Sequence, residues 1–379
     1  MQKNNSVKLY FFYFLTIYIF LFCTNNYFNF VDSLKFGGAD GFSYMAISKD
    51  APLITSEKMM SIHSERFFFP YIIGLFSNFS NVDFYVVYKI FVFICLAIIN
   101  LYTIKIFRYL NLNLQTILIL LTLINFNPYI TRFYLAIPTI VNDLIFVSGI
   151  IIIIEKIITK NKNKFFILLG FILTFASRQT SVGLILAYIV SILIKGKKLL
   201  PIKNEIIGIS VFIIFVILNI YYSSNIVVNS SSRYELYSPE MRIFGFFIQD
   251  IPLKEKLIFL LLPLLSFAPL LLYLIFTRKL KVSFKEIIKS KLLVFLLSFL
   301  VLVILQPILS GAGVTGRNII RLVTLAYIPF IIFLILITKE KKTYILSKKH
   351  FTVIIIIIAT FHSFHPTFSI IKIFDILRF

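Results

Sequence analysis

The apolar runs at 11–22, 206–220 and 351–361 sit inside longer windows of membrane-spanning length, and they decide most of what this chain can become. A bilayer core of about 30 Å takes about twenty apolar residues to cross as a helix. The runs do not alternate apolar and polar residues with period two, so they read as helices and not as strands of a β-barrel. Across 379 residues the chain is 59% hydrophobic with a mean hydropathy of +0.94, more apolar surface than a soluble domain can cover. The expected fold is all-α: a polytopic transmembrane helical bundle forming one integral membrane domain over 1–379. The first apolar stretch is too long for a signal peptide and is followed by no small-residue cleavage pattern, so it reads as a retained first span.

Charge sets the expected orientation. The net charge of +22 comes with no soluble basic domain to bind nucleic acid, and no nucleic-acid partner is expected. Lysines instead mark cytoplasmic ends. Lysine-rich connectors lie at 105–108, 155–164, 195–203, 278–291 and 339–349. All of them fall on one side, with Lys3 and Lys8, if there are about eleven spans. These are approximately 9–30, 84–104, 115–130, 137–155, 164–178, 180–195, 204–224, 257–277, 292–310, 319–338 and 351–368. The piece 67–79 is too short to cross alone and reads as a short re-entrant or in-plane helix on the outer side. Two large outer loops result, 31–66 and 225–256. Cys23 and Cys95 lie in apolar runs and suit neither a disulfide nor a metal site.

The segment 165–194 is apolar but for "SRQTS" at 177–181, and both its flanks are strongly basic. As one helix of thirty residues it would be about 45 Å long, well beyond the bilayer core. It is therefore expected to break there and turn back, with Arg178 at the tip. Arginine and lysine then sort differently. Of ten arginines, Arg66, Arg132, Arg178, Arg233, Arg242, Arg317, Arg321 and Arg378 all fall outside, against the rule that lysine obeys. Some can anchor to headgroups by snorkelling. Arg178, deep in an apolar run, is a functional candidate, because the guanidinium fork suits phosphate and carboxylate.

The first outer loop carries "GGADGFSY" and ends in "HSERFFFP". The glycines around Asp40 are expected to turn the backbone sharply and aim its carboxylate at the membrane surface. The order of a first span, then Asp40, Gly41, Tyr44 and Ile47, then His63, Arg66 and Pro70, resembles membrane glycosyltransferases of the GT-C type. The "SRQTS" turn and "GAGVTGRNIIR" near the last outer turn look similar to bacterial members. The layout resemblance covers most of the chain, and the specific motifs cover about forty residues. It implies a polyprenyl-phosphate sugar donor, a glycan, lipid or protein acceptor, and a site facing the outside of a bacterial plasma membrane. It also implies a catalytic role for Asp40. The family's paired acid is absent, since Gly41 and Phe42 follow Asp40; a divalent metal is compatible with these residues but not indicated.

Glycosyl transfer from a lipid phosphate needs a carboxylate near the acceptor oxygen and cations on the leaving phosphate. Asp40 fits the first need. Arg178, Arg317 and Arg321 fit the second, with Arg66, His63 and Tyr44 positioning the donor. Asp143 is a second carboxylate candidate; alternatively it pairs with Arg132 or caps the helix after Pro138. His362 and His365 have metal-compatible spacing but no third ligand nearby, and they read as polar residues at a helix end in the interface. A polysaccharide polymerase and a lipid-linked sugar transporter or flippase are the competing functions. A transporter calls for mid-membrane charges and paired broken helices.

Overall fold

The structure, a computed structural model, describes residues 2–25, 38–56, 61–136, 141–160, 163–196, 199–226, 239–277, 284–311, 315, 319–340 and 349–363. Every regular element among them is helical. The N-terminal part comprises α1 (Gln2–Asn25), α2 (Gly38–Asp50), α3 (Ser61–Ser64), α4 (Phe68–Ser80), α5 (Phe84–Tyr109), α6 (Leu114–Asn125) and α7 (Arg132–Ala136). The middle comprises α8 (Asn142–Thr159), α9 (Lys164–Phe175), α10 (Val182–Lys195) and α11 (Ile202–Ser224). Beyond these lie α12 (Pro239–Ile248), α13 (Leu253–Thr277), α14 (Phe284–Lys289), α15 (Lys291–Leu309), α16 (Ile319–Val323), α17 (Tyr327–Glu340) and α18 (Lys349–Ser363).

Local chemistry sets many of these ends. Asp83, Asn113 and Asn163 each accept a hydrogen bond from a backbone N–H in the first turn of α5, α6 and α9, satisfying donors that a helix start leaves open. Gly196 ends α10 in the left-handed region at φ +59°, where glycine pays no Cβ penalty.

Helix lengths correct the expected count of about eleven spans. Among the described residues four stretches are long and apolar enough to cross a membrane: α5, α11, α15, and Ile319–Ile337 running through α16 into α17. A fifth joins them if the two arms of α13, which meet at 60°, form one span. The remaining apolar helices are shorter; α6 and α9 have 12 residues each, about 18 Å at 1.5 Å per residue. Hydropathy placed their centres well, but polar breaks after Asn125 and after Phe175 cut the helices short of the apolar windows. Helix α4 has 13 residues, about 20 Å, and cannot cross alone, as expected for 67–79.

Two further expectations are revised. Gly38, Ala39, Asp40 and Gly41 are helical, so the glycines open a helix instead of making a sharp turn. The segment 31–66 therefore contains α2 and α3, and 225–256 contains α12 and the start of α13. Asp50 ends α2, and its carbonyl accepts from Leu53 N at 2.8 Å, closing a turn.

Helix α8 is the centre of the bundle. It is buried along nearly its whole length and packs between α5 and α9. Small residues make the α8–α9 contact close: a Cβ on Gly149 would lie 2.7 Å from the Gly170 carbonyl oxygen. Such pairs let backbones approach where van der Waals packing drives association. Helix α9 packs on α8 and α11, whereas α10 packs on α15, so the two arms on either side of Arg178 diverge. The outer face of α11 is apolar and exposed at Ile206, Ile213, Ile217 and Ile220, the composition of a lipid-facing surface.

Candidate functional site: a buried arginine–carboxylate cluster

The break between α9 and α10 is built by short polar side chains. Ser177 Oγ donates to Thr174 O at 3.0 Å, bonding the last turn of α9 to the chain that leaves it. Arg178 then adopts an extended backbone (φ −153°, ψ 145°) ahead of a 3-10 turn over Gln179–Ser181. That extended residue projects from the helix pair without belonging to either helix.

The Arg178 guanidinium reaches Asp143, and its Nη1 forms an ion pair with Oδ1. Asp143 stands in the first turn of α8, where the helix dipole favours a negative charge. Its second oxygen, Oδ2, lies 3.2 Å from Arg321 Nε and accepts from the Tyr134 hydroxyl at 2.7 Å. Arg321 belongs to the short α16 and also lies over the Phe133 ring, 5.6 Å from its centroid, a cation–π distance. The alternatives weighed for Asp143 are both corrected. Arg132 instead donates to the Thr24 hydroxyl at 3.2 Å and to the Ser363 hydroxyl at 3.3 Å. The N-cap of α8 is Val141, with no side-chain cap bond.

A second arm of the network starts at Gln179. Arg66 Nε donates to Gln179 Oε1 at 3.0 Å, and Gln179 Nε2 donates to the Glu65 carboxylate. Arg66 also stands 3.5 Å, at the limit of a hydrogen bond, from the Tyr44 hydroxyl. Tyr44 and His63 have ring centroids 5.7 Å apart, and His63 Nδ1 and Ser43 Oγ are 2.9 Å apart. Asn142 Nδ2 donates to Arg66 O at 3.3 Å, tying the start of α8 to this arm. The charges of Arg66 and Arg321 both act on Arg178.

The fold thus brings together six residues singled out from sequence: Tyr44, His63, Arg66, Asp143, Arg178 and Arg321. Arg317 lies outside the described residues, as does His365. Asp40 is described only as a backbone position in the first turn of α2, three and four residues ahead of Ser43 and Tyr44 and so on the same helical face. Sequence reasoning missed Gln179, Tyr134, Asn142 and Ser43. Gln179 had a signal, as the neighbour of Arg178 in a polar break; Tyr134, one of 20 tyrosines, had none.

The electrostatic balance defines what the site can hold. Among the described residues it contains three guanidiniums (Arg66, Arg178, Arg321) and two carboxylates (Glu65, Asp143), an excess of one positive charge. Arg66, Arg178 and Arg321 are each less than a tenth exposed. Arg178 Nε has no hydrogen-bond partner among the described residues. A buried donor left open costs free energy, and an anion with several oxygens would satisfy it. No group of three or more His, Cys, Asp or Glu with metal-binding geometry occurs among the described residues.

No protein-family model, curated protein or solved structure matches this chain.

Proposed function

We propose that the protein is a membrane glycosyltransferase that moves a sugar from a polyprenyl-phosphate donor to an acceptor hydroxyl at the outer face of a bacterial plasma membrane. The observation that supports this most is the convergence of Arg66, Arg178 and Arg321 in one buried site. Phosphoryl oxygens are the ligands that planar, bidentate guanidiniums recognise best.

In this reading Asp143 is a fixed counter-ion. Both its oxygens are engaged by cations, with Tyr134 adding a hydrogen bond, which leaves it poorly placed to take a proton. Asp40 is the base. It accepts the proton of the acceptor hydroxyl as that oxygen bonds to the anomeric carbon. The bond from that carbon to the phosphate oxygen breaks, and the charge left on the phosphate is taken up by the arginines. Tyr44 and His63, beside Arg66, help position the donor.

Product analysis tests the reading. Purified protein is incubated with radiolabelled polyprenyl-phosphate sugars and a mixed pool of membrane glycans and lipids. Transfer of label by the wild type and its loss in Asp40→Asn are expected. Release of chain-length ladders from a lipid-linked oligosaccharide would favour a polymerase, and movement of intact donor across vesicles without transfer would favour a transporter.

A further inference from the structure

Helix α12 has 10 residues, about 15 Å, too short to cross a bilayer. It shows two unlike faces. Ile243, Phe244, Phe247 and Ile248 form one ridge, and each is more than half exposed. No charge and no hydrogen-bonding side chain stands in that ridge. The opposite face carries the buried Gly245, with the buried Gln249 one turn on, and packs on α15.

Two glycines make the contact with α15. A Cβ on Gly245 would collide with the Ser310 carbonyl oxygen, and one on Gly311 would lie 2.7 Å from Phe246 N. Gly311 has φ +73°, a conformation that glycine adopts without a Cβ penalty. Gln249 Nε2 donates to the same Ser310 oxygen at 3.3 Å. Beyond Gly311 the Thr315 hydroxyl donates back to Pro307 O at 3.0 Å, and the chain then enters α16 and reaches Arg321. Whatever holds α12 therefore holds the start of the segment that delivers Arg321 to Asp143.

We infer that α12 is an in-plane anchor whose apolar ridge rests among the acyl chains at the bilayer surface, and that the glycine clamp fixes the Arg321 segment to it. Continuity with the next helix identifies lipid as the occupant. Leu253, Leu257, Leu261 and Leu264 make a stripe along the first arm of α13, each more than half exposed, at the spacing of one helix face. The stripe runs up to the first turn of α13, where the exposed Asp250, Lys254 and Glu255 mark the headgroup level. Lys256 lies over the Phe246 ring, 5.7 Å from its centroid, so α12 stands at that same level. A partner protein needs polar contacts to fix its register, and the ridge offers none; acyl chains need none. The inference does not rest on the glycosyltransferase reading.

The chain contains no tryptophan, so Phe244→Trp and Phe247→Trp each report on the ridge, and Leu261→Trp on the α13 stripe is the deep control. Each variant is placed in phosphatidylcholine nanodiscs brominated either near the glycerol backbone or near the chain ends. The shallow bromines are expected to quench emission at 244 and 247 about twofold more than the deep ones, because an in-plane helix sits at the headgroup–acyl boundary. The order should reverse at 261. Quenching by neither lipid overturns the anchor: iodide quenching would then put the ridge in water, and emission that shifts when two copies share a disc would put a second copy on it. The clamp is read by amide hydrogen exchange over 319–323. Gln249→Ala removes one hydrogen bond without a clash and should speed exchange about fivefold. Gly245→Ala, which displaces Ser310, should speed it further, and Gly183→Ala should leave it unchanged. Unchanged exchange in Gln249→Ala overturns the clamp. No sugar donor enters either measurement, so failure of the transfer reading leaves both results standing.

Discussion

Arg178 and Asp143 form an ion pair in which the two side chains are 4% and 1% exposed, joining the break after α9 to the first turn of α8. A pair so deeply buried contributes little net stability, yet removing one partner strands the other, typically at about 3–5 kcal/mol. Asp143 answers to both Arg178 and Arg321, so its loss strands two cations. Asp143→Asn is expected to lower stability by about 3–5 kcal/mol, read as the midpoint of thermal unfolding in detergent. An unchanged midpoint would show that the arginines do not depend on this carboxylate.

Arg178→Lys keeps the charge and removes the fork. Transfer from a polyprenyl-phosphate sugar should fall at least about tenfold, since about 1.4 kcal/mol is one decade. Full activity in the lysine variant would leave Arg178 as a general anchor of the break.

Asp40→Asn is nearly isosteric and caps a helix as well as Asp does, so expression and folding should be retained. Turnover should fall by about 10² or more, the size of a lost general base. Asp50→Asn should change turnover little, because α2 ends there through the backbone. Equal rates for the two variants would take Asp40 out of the chemistry.

Orientation is tested by cysteine labelling after Cys23 and Cys95 are replaced. Phe42→Cys on the exposed side of α2 should react with an impermeant thiol reagent added to intact cells. Lys164→Cys at the start of α9 should react only after permeabilisation. The opposite pattern would place the arginine cluster on the cytoplasmic side and exclude an outer-face donor site.

Packing gives a prediction independent of function. Gly149→Ala puts a methyl group 2.7 Å from the Gly170 carbonyl oxygen, and backbone cannot yield cheaply. Overpacking of this kind costs about 1–3 kcal/mol. Gly183→Ala, whose Cβ would meet nothing closer than 3.6 Å, is the matched control and should unfold with the wild type. Equal midpoints for all three proteins would argue against the close α8–α9 contact.

Helix identity and most helix centres were legible because apolar windows need no tertiary information. Lengths were not, because a polar residue inside an apolar run reads as a tolerated passenger until the backbone shows that it ends the helix, as at Asn125; the break at 177–181 was legible from its polar run and basic flanks. The glycines near Asp40 misled in the same way: glycine permits a turn without requiring one, and helix α2 begins at Gly38. The arginines of the site were legible through their exception to the lysine pattern. Their partners were not. Nothing local distinguishes the Tyr134 that bonds Asp143 from other tyrosines, and the link from Gln179 to Arg66 exists only once α3 and the break meet.

The order of synthesis gives the cluster a history. Helix α8 leaves the ribosome carrying Asp143, Glu155 and Lys156 before Arg178 exists, and long before Arg321. Until those arginines arrive, the carboxylate at the head of α8 enters the membrane without its cations, and a lone charge at that depth is costly. The carboxylate meets its second cation only when α16 delivers Arg321. A chain that stops ahead of residue 321 lacks the Arg321 contact to the carboxylate at the head of its innermost helix.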